Sequence, residues 1–246
     1  MFREAPAEQI VKVYVSESFY QGLQAGGRAG ADSREPGKDQ GSQEGMTDLR
    51  RLHSVPHEVV EDSVFRVMSD TQTPQGILSI LRQQQYSLEE LLQAPAPLFL
   101  VLENLQDPGN LGTILRTAEG AGVTGVLLSR ESVDIYNPKV VRSTMGSIFR
   151  VPFLYAEDLR ATLRVLKSHG IQSFAAHLEG KRNYDRQDYR SGTAFLIGNE
   201  SSGLTGELAA CADTYIRIPM EGQLESLNAA VAAAVLVYEA YRQRRD

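Results

Sequence analysis

The sequence predicts an α/β protein organised around a parallel sheet, with a smaller α/β module in front of it, and three observations carry that prediction. Short apolar runs alternate with helical stretches from residue 98 onward. The runs are apolar continuously rather than at every second position, as expected of parallel strands covered on both faces. The first 95 residues lack that regularity and differ in composition.

Residues 10–15 alternate as a short strand. Residues 22–50 are rich in Gly, Ser, Asp, Gln and Arg, with almost no large apolar residue before Met46. Such a stretch cannot offset its own ordering entropy and is expected to form a mobile insertion. Val59, Val60, Val64, Val67 and Met68 fall on one helical face, and residues 76–81 read as a strand. Ala94-Pro-Ala-Pro97 is a stiff linker, dividing the chain into residues 1–95 and 96–246. Strands are then expected at 98–102, 123–129, 151–155, 171–176, 193–198 and 214–218. The last helix should begin at Ser226, its N-cap, and run to about Arg244. It is apolar nearly all round, so it should be buried, which hints at a partner subunit.

Composition narrows the function classes. The chain has 246 residues, 42% hydrophobic and 23% charged, enough for a real core. No apolar run approaches the ~20 residues that span a bilayer, and no signal segment opens the sequence. With Cys211 as its one cysteine the chain forms no internal disulfide, which fits the cytoplasm. His53, His57, His169 and His177 lack metal-ligand spacing, so no metal is expected. A net charge of −6 argues against a general nucleic-acid coat but allows a local patch, for which Arg116, Lys139, Arg142 and Arg150 are candidates.

Three polar clusters stand at junctions between apolar runs and helices, where α/β sheets place ligands. The first runs from Asn110 to Arg116. Asp107-Pro-Gly-Asn110 signals a turn into a helix over about 111–121, with Asn110 as its cap and Arg116 on the outer face, able to clamp a phosphate or simply solvated. The second, 198–205, has the glycine spacing of a P-loop, but Leu204 replaces the lysine that would balance phosphate charge, which weakens a nucleotide-hydrolase reading. What remains is a turn presenting Asn199 and Glu200. In the third, Pro219 ends a strand, Gly222 permits an unusual turn, and Ile218, Met220 and Leu227 could wall a flat ring ahead of Ser226 and Asn228. Gly120-Ala-Gly122 closes a helix instead of following a strand, so it is no dinucleotide fingerprint.

Together these motifs resemble the SpoU/TrmH branch of the SPOUT RNA methyltransferases. The likeness rests on Asn110-x5-Arg116, on Ile197-Gly-Asn-Glu200, on Ile218-Pro-Met with Ser226-Leu-Asn228, and on the intervening segment from Tyr136 to Gly146. It implies a parallel sheet with a C-terminal trefoil knot, a homodimer, S-adenosyl-L-methionine as methyl donor, and a ribose 2′-OH of ribosomal RNA, or else transfer RNA, as acceptor. By the same resemblance, Gly198, Asn199, Ile218, Met220 and Leu227 hold the cofactor. Asn110, Arg116, Glu200, Ser226 and Asn228 form the catalytic set, and Arg116, Lys139, Arg142 and Arg150 meet the RNA. Residues 9–18 and 65–80 resemble the L30e-like substrate-binding module of such enzymes, with its N-terminal part expected to be incomplete. A catalytically silent RNA-binding protein of the same fold is the competing expectation.

Overall fold

In the computed structural model, residues 2–29, 39–69 and 71–245 are described, and they divide into two compact units, Met1–Gln84 and Gln85–Asp246. The division precedes the Ala94–Pro97 linker because Leu91 of the helix Leu88–Leu91 (α4 below) is buried with Phe99 and Val101 of the second unit's core.

In the first unit, strand β1 (Ile10–Ser16) lies between β2 (His57–Val60), to which it is parallel, and β3 (Ile77–Leu81), to which it is antiparallel. Helices α1 (Glu17–Ala29) and α2 (Asp39–His53) pack on each other, and α3 (Asp62–Met68) packs on β1. Two expectations fail here. The stretch 22–50 is no open loop where it is described: residues 22–29 and 39–50 are helical, and 30–38 lie outside the described residues. Few apolar groups suffice because they fall at helical spacing, with Leu52 fully buried and Leu49 partly so, and because Asp48 is neutralised by Arg3 at 2.6 Å. Nor do Val59 to Met68 form one helical face. Val59 and Val60 pair with β1, as β-branched residues favour. Val64 and Val67 of α3 are exposed, and Phe65 is the residue that α3 buries.

The second unit contains α4 (Leu88–Leu91), β4 (Leu98–Leu102), α5 (Pro108–Gly120), β5 (Gly125–Ser129), α6 (Pro138–Ser143), β6 (Phe153–Ala156), α7 (Leu159–Ser168), β7 (Gln172–Ala176), β8 (Arg182–Asn183), β9 (Thr193–Ile197), α8 (Gly206–Ala209), β10 (Thr214–Arg217) and α9 (Ala229–Arg244). Its seven strands are all parallel, in the order β6-β5-β4-β9-β7-β10-β8. Every residue of β4, β5 and β9 is buried. Alternation along β4 splits the core in two. Leu98, Leu100 and Leu102 join the apolar sides of α5 and α9, while Phe99 and Val101 join those of α7 and α8. The two-residue β8 has no sequence signal.

Chain order explains where a site can form. The path runs outward from β4 through β5 to β6, then crosses to β7 and β8. Two later strands return to the interior: β9 enters between β4 and β7, and β10 between β7 and β8. The order therefore reverses at β4/β9, and the loops beyond their carboxyl ends splay apart as at other topological switch points.

Candidate active site

The loops after β4, β9 and β10 carry the three sequence clusters, and side-chain hydrogen bonds tie them together. Glu200 lies just beyond β9. Its carboxylate accepts the backbone N–H of Gln106 (3.1 Å) and of Asp107 (2.9 Å) and the Asn110 side-chain amide (3.0 Å), all in the segment following β4. Asn110 Oδ1 in turn accepts from Asn228 Nδ2 at 2.9 Å, and Asn228 Oδ1 accepts the N–H groups of Ala230 and Val231 at the start of α9. A carboxylate can only accept and a helix N-terminus can only donate, so both amides between them have one satisfying orientation. Burial opposes the charge on Glu200, but the donors from Asn110, Asp107 and Gln106 outweigh it, holding the carboxyl below its ordinary pKa.

Capping explains how Asn110 is freed for this role. Asp107, not Asn110, caps α5, accepting the Asn110 N–H at 2.8 Å with Pro108 at the first helical position. The helix thus starts three residues before the expected 111, and Asn110 sits in its first turn. At α9 the sequence reading is also corrected. Asn228 is the cap and the helix starts at Ala229, whereas Ser226 is exposed in the preceding loop. Asn228 outcompetes Ser226 because its longer side chain caps the helix and reaches Asn110 at once.

The turn after β9 is built by close approach. A Cβ on Gly198 would lie 2.0 Å from the Gly203 carbonyl carbon and 2.1 Å from Leu204 N, so only glycine fits. Asn199 and Gly203 exchange backbone hydrogen bonds at 3.0 and 2.9 Å. The Asn199 side chain organises this loop, accepting from Ser201 and Ser202 and donating to Asn104 O at 2.8 Å. Ile218 packs against the core, Met220 and Leu227 are half-buried, and residues 221–226 between them are exposed.

Of the expected catalytic set, Asn110, Glu200 and Asn228 are brought into one network, while Arg116 and Ser226 make no hydrogen bond to it. Arg116 lies on the exposed side of α5. Among the cationic candidates, Arg116, Lys139 and Arg142 are exposed and form no ion pair among the described residues. Arg150 differs: its guanidinium is paired with Glu119 of α5, whose carboxyl it holds below the usual range. That ion pair distinguishes it from the other three cations.

Sequence reasoning missed two supporting residues. Asn104, at φ 54°, receives Asn199 on its carbonyl and the Ser129 hydroxyl on its side chain, so it joins the ends of β4, β5 and β9. Glu103 is 9% exposed and accepts both the N–H and the hydroxyl of Thr205 at 2.7 Å, fixing the far side of the β9 loop. Asparagine's tolerance of left-handed backbone right after an apolar strand was the available signal for the first.

A parallel sheet with a polar constellation at its switch point is the arrangement in which α/β proteins bind ligands. Residues 97–238 match the SpoU rRNA Methylase family, and the chain belongs to that family. It is 34% identical to the 23S rRNA (guanosine(2553)-2′-O)-methyltransferase RlmP of Bacillus subtilis over 73% of this chain and 70% of that protein. To an uncharacterised tRNA/rRNA methyltransferase of Synechocystis it is 36% identical, over 81% of this chain and 72% of the other. The AdoMet-bound rRNA methyltransferase from Sinorhizobium meliloti superimposes with a TM-score of 0.74 at 28% identity, covering 97% of this chain and 82% of that one.

Proposed function

We propose that this chain transfers a methyl group from S-adenosylmethionine to a ribose 2′-OH of ribosomal RNA. The observation that carries the proposal is the continuous hydrogen-bonded path from Glu200 through Asn110 to Asn228, which fixes the three family motifs relative to one another. Family membership supports RNA methylation with S-adenosylmethionine as donor. The RlmP relative's name favours ribosomal RNA and the 2′-oxygen.

The donor, when bound, supplies an activated methyl on a sulfonium centre. Fit to this chain is good: Ile218, Met220 and Leu227 are the half-buried apolar positions of an otherwise exposed loop, suited to one face of an adenine ring. Gly198, whose backbone is forced against Gly203 and Leu204, would hold the donor through backbone groups, and Asn199 holds that turn in shape. Glu200 is a poor proton acceptor, because three donors already stabilise its charge. Its role is to orient Asn110. Arg116 presents a planar guanidinium that donates hydrogen bonds and accepts none. It anchors a phosphate and lowers the cost of charge developing on the attacking oxygen. Alignment of hydroxyl and methyl is then the chief source of rate.

Three further features complete the proposal. Late insertion of β9 and β10 between earlier strands is compatible with a knotted C-terminal segment. The face of α9 bearing Val231 and Tyr238, 48% and 47% exposed, would be covered by a second copy in a homodimer. The first unit would serve as an L30e-like RNA-binding module. Tritium transfer from labelled S-adenosylmethionine to 23S rRNA transcripts, with tRNA transcripts in parallel and the product mapped by alkaline resistance, tests the activity. Label confined to tRNA would reassign the substrate, and label on a base would refute ribose methylation.

A further inference from the structure

One apolar side chain in the second unit is thrown outward from between buried neighbours. Thr144 is fully buried and Ser147 is 3% exposed, yet Met145 is 68% exposed. Its backbone stands at φ 51°, in the left-handed region that disfavours any residue with a Cβ. The loop cannot relax, because it is fastened on both sides. Thr144 Oγ1 donates to Val141 O at 2.8 Å, Ser147 N to Thr144 O at 3.1 Å, and Arg150 beyond it is paired with Glu119 of α5. Strain that the surroundings impose on an exposed side chain is characteristic of ligand contacts.

The neighbourhood of Met145 is cationic. Helix α6, which leads into the loop, carries exposed Lys139 and Arg142. Its last residue, Ser143, is seated on α5 at Gly112, where an added Cβ would stand 1.8 Å from the serine Oγ. Arg116 lies one helical turn beyond Gly112 on the same flank. Arg116, Lys139 and Arg142 thus lie on the two contacting helices α5 and α6, the second of which leads into Met145, and none is used in an ion pair among the described residues.

We propose that Met145 is a nucleotide-contacting wedge: its thioether packs on the face of an unstacked base beside the ribose to be methylated, while the three cations hold flanking phosphates. The inference rests on the ribose-methylation reading and adds to it a residue that sets substrate position. An exposed apolar tip following a cationic helix suits single-stranded RNA, whose bases offer π faces and whose backbone is anionic. A symmetric contact with a second copy would instead set this cationic flank against itself.

The test uses the full chain, with filter binding to 23S rRNA and tRNA transcripts over a salt series and tritium transfer on the same samples. Met145→Gly relieves the left-handed strain, so it should melt no lower than wild type, yet bind the preferred transcript about tenfold more weakly. Its salt slope should be unchanged, because no counterion-releasing charge is lost. Met145→Leu should recover most of that affinity, and Arg142→Ala should lower the slope by about one. The KM for RNA should rise in the Gly variant while S-adenosylmethionine binding, read by calorimetry, stays constant. Wild-type affinity in Met145→Gly overturns the wedge and leaves ribose methylation standing. A change in oligomeric state with Met145→Gly also overturns it, since the side chain would then be a subunit contact. Met145-dependent binding without methyl transfer refutes the activity and supports the wedge, whereas a wild-type chain that binds neither transcript refutes both.

Discussion

Asn110 and Asn228 each have one amide orientation that satisfies every partner, and that constraint makes individual substitutions informative. Glu200→Gln would place an amide N–H either against the N–H of Gln106 or against both the N–H of Asp107 and the amide of Asn110. Either orientation should cost about 1–3 kcal/mol of stability and, by weakening the tie between Glu200 and the Gln106–Asn110 segment, reduce methyl transfer by more than an order of magnitude. The acid side of the stability profile gives an independent check. The hydrogen bonds that Glu200 accepts hold its carboxyl below the ordinary value of 4.5. Its contribution is therefore present above that pH and is lost as pH falls through the lower folded value. Urea denaturation of wild type and Glu200→Gln should consequently converge as the solution is acidified. At α9, Asn228→Ala should lower stability by about 1 kcal/mol, the usual cost of a lost cap, and Ser226→Ala should leave the melting temperature unchanged. The reverse ranking would mean that α9 starts earlier than the structure places it.

At the scale of elements, the sequence announced the central strands and concealed their partners. The run 98–102 is apolar at every position because both faces of β4 are covered, so its bounds agree with the structure. Boundaries drifted where capping decided them. Asp107 caps α5 with Pro108 behind it, which leaves the Asn110 side chain for long-range partners, and Asn228 caps α9 while its amide reaches Asn110, a tertiary hydrogen bond with no local signature. The helices within 22–50 were hidden for a related reason: a Leu-poor amphipathic surface was stabilised by the Arg3–Asp48 pair, whose members are far apart in sequence. Residues of the site were legible as motifs, but which of them touch was not, since the path from Glu200 to Asn228 depends on β9 entering beside β4. Close approach between α5 and α6 is likewise invisible in one dimension and can be tested directly. Gly112→Ala would bring a methyl within 1.8 Å of Ser143 Oγ and 3.1 Å of its carbonyl carbon. Overpacking of this kind costs about 1–3 kcal/mol. Because Ser143 leads into the loop that bears Met145, the variant should also lose RNA affinity, measurable by filter binding at a temperature where circular dichroism reports it folded.

For the whole molecule, the unresolved physical demand is the outer face of α9. Ala229, Ala233, Leu236, Val237 and Ala240 bury the inner face against α5 and the sheet, whereas Val231 and Tyr238 remain half in solvent. Seven residues separate them, so they lie on one stripe, with partly buried Ala234, Val235 and Tyr241 beside it. A monomer gains nothing from that stripe, and a two-fold copy of the same helix could cover it with a self-complementary contact. Val231→Glu separates subunit association from folding. In the isolated chain the new carboxylate would sit in water and change stability by less than about 0.5 kcal/mol. In a dimer it would be buried without a partner, at a cost of about 1–3 kcal/mol, which corresponds to roughly a 5- to 150-fold weaker association. Sedimentation velocity over a concentration series should therefore show dimer for the wild type and a shift toward monomer for the variant, with unchanged circular dichroism. If both sediment as monomers, α9 must meet a different partner, and its apolar outer face would mark where that partner docks.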